Sequence, residues 1–324
     1  MSRRAEAGGA GAFDIVLEIA RKTLRRTLET AWFLIRIMVP VSLAVALLGW
    51  SGLLERIAIV LRPLMHLLGL PGEAALVYLS GALLNNYSSI AVMSTLSLSL
   101  RDATILALMC LTSHNLPVES AVMKSIGSSA LKMTLLRIGT AIAGGFVLNL
   151  LLPASFAKVP LFASIHSVRL DFWPMLAGWA LSTLKLVGRI VFYLFMLMLA
   201  QSLLERMNIM KWLSRWLGWL MYLFGLKASM AFLWIVINIV GYSYGAGVIR
   251  SAYEEGRMSP EDGDLFNHHA AICHSLFEDT VLYSALSLPL FWLVVPRLVL
   301  AMAVVWAERL RRALSASAKP SGSR

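Results

Sequence analysis

Two stretches in different halves of this chain each carry a histidine followed, at the same spacing, by a carboxylate. They are His114 with Glu119 and His274 with Asp279, and each pair sits in a mostly apolar segment. Ionisable residues are costly in such surroundings, so inside a membrane they mark by default a path for a substrate, an ion or a proton. Two imidazoles and two carboxylates suit a first-row transition metal or a proton relay. These four residues are therefore the predicted metal ligands.

A helix break is predicted beside each pair. Pro117 cannot donate a backbone hydrogen bond and disfavours helix at the preceding residue, yet it suits a first turn, so the helix should stop within residues 113–116 and restart at 117. Glu119 then lies near the positive end of the new helix dipole, and Glu278 with Asp279 takes that place in the second half. A structural alternative stays open, in which the carboxylates cap restarted helices and the histidines satisfy freed carbonyls.

Further polar residues flank these pairs or interrupt two other apolar segments. Turn chemistry is the alternative for the interruptions, because Asn, Ser and Gly are common turn residues. His268 and His269 precede the second pair, where a solvated helix start is favoured over a role in metal access. The predicted substrate- or ion-binding residues beyond the first four are Asn85, Asn86, Tyr87, Ser88, Asn115, Ser120, Tyr242, Tyr244, Ser275 and Thr280.

The composition places these residues in lipid. Hydrophobic residues make up 58% of the 324 residues, charged residues only 15%, and the mean hydropathy is +0.73. Ordinary soluble domains are about 45–50% apolar and about 25% charged. In a bilayer the backbone must satisfy its own hydrogen bonds, so helices or a closed barrel are required, and apolar runs such as residues 134–152 are too long for barrel strands. The sequence predicts an all-α integral membrane protein.

The formal net charge of +11 is explained by where the basic residues lie in the chain rather than by nucleic-acid binding. Basic residues cluster just before the first apolar run and just after the last, which is typical of cytoplasmic ends. We expect a multi-pass protein of the bacterial inner membrane with both termini cytoplasmic, the lipid bilayer as its partner and no cleavable signal peptide. Cys110 and Cys273 form no CxxC pair, so no disulfide framework is expected. No HExxH, Walker A, GxSxG or GxGxxG motif appears in a fitting context, which argues against an enzyme.

The two halves also resemble each other outside the histidine pairs. Leu53-Leu54-Glu55-Arg56 recurs as Leu203-Leu204-Glu205-Arg206, and Arg137 and Arg297 each follow their histidine at the same spacing. The ordered matches indicate a duplication. Arg36 and Arg189 recur as well. Snorkelling to the membrane interface is the favoured role of all four arginines, with an ion pair or recognition of an anionic substrate as the alternative.

Each half predicts the same series of elements. A span comes first (31–52 and 186–204), then an amphipathic interfacial segment (53–70 and 205–226), a re-entrant helical hairpin with its tip near mid-membrane, the broken histidine helix (102–129 and 265–288) and a closing span (131–152 and 289–307). Three crossings per half would invert the second repeat relative to the first, a common plan of secondary transporters. The predicted segments are 1–27 an interfacial amphipathic N-terminus, 28–152 the first repeat, 153–180 a connection, 181–308 the second repeat and 309–324 a basic, disordered cytoplasmic tail.

This pattern resembles the Gate, or nucleoside-recognition, superfamily over about residues 28–308. That group includes concentrative nucleoside transporters, the membrane part of type-B ferrous-iron transporters and spore maturation membrane proteins. Leu116-Pro117-Val118 resembles the Leu-Pro-Val of the iron transporters' gate motif. The resemblance implies an amphipathic helix, a re-entrant hairpin, an unwound helix and a closing span, used twice with inversion.

The resulting functional expectation is a transporter or permease for a small polar or ionic solute. The histidine and carboxylate set favours a divalent metal ion, and a nucleoside-like solute is the close alternative. A non-transporting membrane scaffold or regulatory protein is the alternative from a different class. A divalent transition metal, as substrate or ligand, is the one cofactor considered, no nucleic acid is expected, and a homo-oligomer is compatible with the sequence.

Overall fold

The computed structural model describes residues 12–161, 171–206, 209–239 and 241–317. In these ranges regular structure is helical, and the one extended pairing is an isolated bridge between Ser99 and Pro160. Short 3₁₀ turns cover Ala154–Lys158 and Ala228–Met230. The α-helices are α1 Ala12–Trp50, α2 Leu53–Leu67, α3 Ala74–Leu83, α4 Asn86–Met93, α5 Leu100–Ser113, α6 Leu116–Ser125, α7 Ala130–Leu151, α8 Phe172–Arg206, α9 Ile209–Trp216, α10 Gly218–Leu223, α11 Ala231–Ile239, α12 Tyr242–Glu254, α13 Pro260–Ile272, α14 Leu276–Ser284 and α15 Leu290–Ser317.

Four segments of the described chain are long and apolar enough to cross a membrane, which confirms the predicted all-helical membrane class. They are Leu100–Ser125, Ala130–Leu151, Phe172–Ala200 and Leu290–Ser315. The expected crossings at 31–52 and 265–288 are not among them; the first lies within α1 and the second falls on the polar pair α13–α14. The number of crossings in each half therefore stays a prediction.

Several helices run across the predicted segment boundaries. The amphipathic N-terminus and the first span form one helix, α1, because no glycine or proline interrupts residues 12–39. Helix α8 begins at Phe172, inside the predicted connection. The tail is helical as far as Ser317. Within this helix, Arg311 and Arg312 donate hydrogen bonds to the Glu308 carboxylate one turn earlier, at 2.7–2.9 Å. Residues 1–11 and 318–324 lie outside the described part of the chain.

Two pairs of short packed helices lie where the sequence predicts the hairpins, and their re-entrant placement in the membrane stays a prediction. Helices α3 and α4 meet at Leu84–Asn85, and the Asn85 side chain caps α4 by accepting the Ser88 N–H at 2.9 Å. Helices α11 and α12 form the second pair. Each arm has about 10 residues, too short to cross a bilayer that needs ~20.

The two helix breaks have the same local structure. Helix α5 ends at Ser113 and α6 begins at Leu116, as Pro117 predicts, while α13 ends at Ile272 and α14 begins at Leu276. Asn115 and Ser275 hold the left-handed conformation, at φ 48° and 49°. A hairpin arm satisfies each freed amide: Asn115 donates its N–H to the Gly81 carbonyl at 3.0 Å and Ser275 donates to Ile237 at 2.9 Å.

The closing helices bring the halves together. Helix α7 packs on α5 and also touches α13, while α15 packs on α13 and also touches α5. Small residues permit this approach, since a Cβ on Gly144 would come within 2.9 Å of Leu300 and one on Gly145 within 2.9 Å of Met109. The broken helices are thus held at the centre of the molecule by the helices that follow them.

Candidate functional site

The two predicted pairs meet at one buried point. The Nε2 atoms of His114 and His274 lie 3.3 Å apart. The Glu119 carboxylate approaches both imidazoles, at 3.2 Å from His114 and 3.3 Å from His274, and Asp279 lies 3.5 Å from the His114 Nε2. All four side chains are buried. The structure therefore brings all four of these residues together at one point.

Hydrogen bonds to the backbone fix the tautomer of both histidines. The Nδ1 of His114 lies 3.1 Å from the Cys110 carbonyl, and the Nδ1 of His274 lies 2.6 Å from the Ala270 carbonyl. A carbonyl only accepts, so each Nδ1 carries the proton. When the imidazoles are neutral, both Nε2 atoms present lone pairs towards each other. This is the arrangement in which an outer hydrogen bond orients a histidine for metal binding.

The separations suit a first-row ion. Ligand atoms about 2.0–2.2 Å from a tetrahedral ion lie about 3.3–3.6 Å from one another, as do the Nε2 pair and the His114–Asp279 pair. His114, His274 and Asp279 can each offer an atom within 4.8 Å of the others. Glu119 reaches both imidazoles, but its Oε2 also pairs with Arg137 at 2.7 Å. The predicted ligand set is thus spatially coherent, with Glu119 shared between the centre and an arginine.

The arginines that follow the two histidines are buried, so the snorkelling interpretation is wrong for this pair. Arg137 and Arg297 are both 0% exposed. Arg137 donates to the His114 carbonyl at 2.7 Å, and Arg297 donates to the His274 carbonyl at 2.5 Å. Each closing helix therefore holds the carbonyl that the helix break leaves free. Of the other two, Arg36 stacks on Trp32, with its Cζ 4.8 Å from the ring centroid.

The centre is asymmetric. Arg137 has a carboxylate partner, Glu119, whereas no ion pair to Arg297 is present among the described residues, and its Nε and Nη1 atoms have no hydrogen-bond partner there. Asp279 is one methylene shorter than Glu119, and its Oδ2 also has no hydrogen-bond partner in this part of the chain. The second half therefore holds a buried cation and a buried anion that do not neutralise each other directly.

The first hairpin tip reaches the broken helix of the other half. Asn86 accepts a hydrogen bond from the Tyr283 hydroxyl at 3.2 Å, and Ser89 lies 2.6 Å from the same hydroxyl. Tyr87 lies 3.5 Å from Glu278. Two buried polar atoms here, Asn86 Nδ2 and Thr280 Oγ1, have no hydrogen-bond partner among the described residues.

The remaining predicted site residues have structural roles. Asn85 caps α4 and also accepts from the Ser88 hydroxyl at 3.1 Å, while Ser120 pairs with the Thr134 hydroxyl at 2.7 Å. Tyr242 donates to Asn267 at 2.9 Å, and its ring centroid is 5.3 Å from that of His274. The Tyr244 side chain lies outside the described residues.

Sequence reasoning missed three contributors and misplaced two histidines. Asn238 accepts the Leu276 N–H at 3.3 Å across the second break. Asn267 accepts a hydrogen bond from Tyr242, and Tyr283 donates one to Asn86 at the first hairpin tip. A lone amide inside the apolar run of α11 was the available signal for Asn238. His268 and His269 are buried, not at a solvated helix start.

Comparison with known proteins supplies the family. Residues 31–165 match the family described as Gate, nucleoside recognition. The uncharacterized membrane protein YvoD of Bacillus subtilis (strain 168) is 30% identical over 281 residues, which cover 86% of this chain and 90% of YvoD. The chain belongs to the Gate, or nucleoside-recognition, family. It is accordingly a membrane protein, as its composition predicts. No solved structure matches it.

The Gate match includes only one side of the centre. His114, Glu119 and Arg137 fall within residues 31–165, whereas His274, Asp279 and Arg297 fall outside it. The similarity to YvoD extends over most of both chains. The family match therefore covers the site residues of the first half. The contacts in the structure bring the residues of the second half next to them.

Proposed function

We propose that this Gate-family protein transports a divalent first-row transition metal across a bacterial inner membrane, with the ion bound between His114, His274 and Asp279. The observation that carries the proposal is the opposition of two Nε2 atoms at 3.3 Å, each on an imidazole whose Nδ1 already donates to a carbonyl. Two lone pairs this close, both beside the Glu119 carboxylate, repel one another unless a proton or a metal ion lies between them, and the proposal takes the metal ion. Nitrogen and carboxylate ligands of this kind suit Mn, Fe, Co, Ni or Zn in the divalent state.

The surrounding charges favour a cation. Glu119 is neutralised in part by Arg137, whereas the Asp279 Oδ2 has no hydrogen-bond partner among the described residues. The Glu278 carboxyl adjoins Asp279 in sequence and contacts Tyr87. Asp279 pairs with no lysine or arginine among the described residues and faces the His114 imidazole at 3.5 Å, so a bound metal ion would supply its counter-charge. We assign the centre a binding role and no catalytic reaction.

The proposed transport mechanism is based on the paired architecture of the two halves. Two helix breaks with the same backbone conformation, each tied to a hairpin arm, support a duplicated fold whose halves are inverted in the membrane. His274 is 0% exposed, so in the proposed cycle this structure would stand for the state in which the centre is closed to both sides. Transport would proceed by movement of the hairpins and broken helices about the centre, with both termini cytoplasmic.

Metal binding and uptake provide the test. Purified protein should bind one divalent ion per chain, and proteoliposomes containing it should accumulate that ion. His114→Ala should abolish both, whereas His66→Ala, which changes an exposed histidine of α2, should leave both unchanged. If wild-type protein binds none of Mn, Fe, Co, Ni and Zn stoichiometrically, the proposal of metal transport is wrong. Simultaneous recording of proton flux distinguishes a metal carrier from the proton relay that the same residue types could form.

A nucleoside-like solute is the second candidate, favoured by the family match and by the unpartnered Asn86 amide and Thr280 hydroxyl beside the first hairpin tip. Such groups could bind the polar edge of a base or a ribose. The same proteoliposomes are therefore incubated with labelled nucleosides in the external buffer. Uptake of a nucleoside that survives His114→Ala but not Asn86→Ala would favour this candidate. No uptake of either solute class would favour the scaffold alternative.

A further inference from the structure

A cavity of about 320 Å³ lies away from the histidine centre, between the end of α10, the first turn of α13 and the last turns of α15. Its charged lining comprises Lys227, Glu261, Asp262, Arg309 and Arg312. Three cations and two carboxylates therefore face one opening. Mixed charge on this scale suits a ligand that carries both signs.

Most of these charges already have partners. Lys227 pairs with Asp262 at 2.6 Å. Arg312 pairs with Glu308 at 2.9 Å and also bonds Asp264. No ion pair within the described residues involves Arg309, which donates to the Gly225 carbonyl at 2.8 Å, or the exposed Glu261 carboxylate. Among the described residues, the cavity thus offers one cation and one anion that have no ion-pair partner.

The rim of the cavity has the character of a membrane interface. Trp306 lies beneath Arg309, whose Cζ is 5.4 Å from the ring centroid, and the Trp306 indole donates to the Leu223 carbonyl at 2.9 Å. Trp306, Leu223 and Tyr222 are all exposed. Arg309 lies roughly 28 Å along α15 from Leu290, which is about the thickness of the hydrocarbon core. Tryptophan and tyrosine concentrate at that depth, so the cavity opens at the level of lipid headgroups.

We propose that this cavity binds the headgroup of a zwitterionic aminophospholipid, with the phosphate at Arg309, the ammonium at Glu261 and the acyl chains over Trp306 and Leu223. A primary ammonium donates hydrogen bonds to a carboxylate, whereas the quaternary ammonium of a choline headgroup has no proton to donate. A purely anionic headgroup satisfies Arg309 but leaves Glu261 facing like charge. The site is independent of the metal centre and of transport.

Lipid retention by the full-length protein tests the site. Protein is placed in nanodiscs that contain equal amounts of phosphatidylethanolamine, phosphatidylcholine and phosphatidylglycerol, is extracted in mild detergent, and its retained lipid is counted by native mass spectrometry. We expect phosphatidylethanolamine to exceed each of the other two by about tenfold, since a hydrogen bond to a charged group discriminates on that scale. Equal retention of the three, or preference for phosphatidylglycerol, overturns the proposal.

Two variants separate the contributions of the headgroup contacts. Glu261→Gln should remove the preference over phosphatidylcholine, and Arg309→Gln should reduce retention of all three lipids. Glu254→Gln and Arg250→Gln, which change an exposed ion pair of α12, are the matched controls and should retain the wild-type pattern. Identical patterns in all four variants overturn the proposal. Soluble phosphoethanolamine is added as a competitor, and displacement of the lipid at equal concentration would overturn a lipid site in favour of a soluble ligand.

Discussion

The backbone N–H of Asn115 donates to the carbonyl of Gly81 at 3.0 Å, which joins the first helix break to the first arm of the hairpin before it. Ser275 and Ile237 form the same bond in the second half, at 2.9 Å. Each histidine directly precedes the residue that donates this bond. A displacement of either hairpin arm is therefore transmitted to an imidazole of the centre through one hydrogen bond and one peptide unit.

Gly81 should tolerate no side chain, because a Cβ there would lie 2.9 Å from the Cys110 sulfur and 3.1 Å from the Ser89 Cβ. We expect Gly81→Ala to lower the free energy of unfolding by about 1–3 kcal/mol, the range for overpacking. Gly139→Ala is the control, since a Cβ at Gly139 meets nothing within 4 Å. Thermal unfolding in detergent measures both, and equal melting temperatures for the two variants would contradict the expectation.

The Glu119–Arg137 pair should show strong energetic coupling. Arg137→Gln leaves a buried carboxylate without its cation, a change that costs about 3–5 kcal/mol. In the double variant with Glu119→Gln the charge is gone as well, so much of the loss should be recovered. Arg297→Gln is the comparison, and it should cost less because no carboxylate partner is lost. A double-mutant cycle with a coupling energy near zero would contradict this account.

Asp279→Glu should make the second half resemble the first. By analogy with Glu119 and Arg137, we expect the longer carboxylate to pair with Arg297, whose Nε and Nη1 lack hydrogen-bond partners among the described residues. A charge-assisted bond there would raise the free energy of unfolding by about 1–3 kcal/mol and withdraw a ligand from the centre. Metal titration should show affinity weaker by about tenfold or more. Asp279→Asn, the control, should weaken metal binding without raising the free energy of unfolding.

The left-handed conformation at Asn115 sets a preference among substitutions. Glycine adopts φ 48° without strain, whereas alanine does so at a cost of about 1–2 kcal/mol. Asn115→Gly should therefore keep near-wild-type stability, and Asn115→Ala should lower the melting temperature. The converse order would show that the Asn115 side chain, rather than its backbone, stabilises the break.

The helix break was predictable from the sequence because its signal is local. Pro117 predicted a break within 113–116, where α5 ends and α6 begins, and the equal His-to-carboxylate spacing predicted that both halves contribute. Burial is not a local property. For this reason Arg137 and Arg297 were assigned to the interface, although their common distance from a histidine was visible in the sequence.

Contacts between the halves were the least predictable part of the site. Tyr283 reaches the hairpin tip of the other half, a contact that no periodicity within α14 reveals. Asn238 was recognisable as polar within an apolar run, but its partner, the Leu276 N–H, depends on how α11 packs on α14. The alternative in which the carboxylates merely cap helices is disfavoured by the convergence of both pairs, which capping does not require.

His114 and His274 are 160 positions apart in the sequence, and this separation also sets an order of assembly. During synthesis the first half leaves the ribosome well before its partner histidine exists. Glu119 is then already supplied with a counter-charge by Arg137, which belongs to the same half. Both partners of the ion pair are therefore present before the second half is made, and the centre is completed only when His274 and Asp279 have been added.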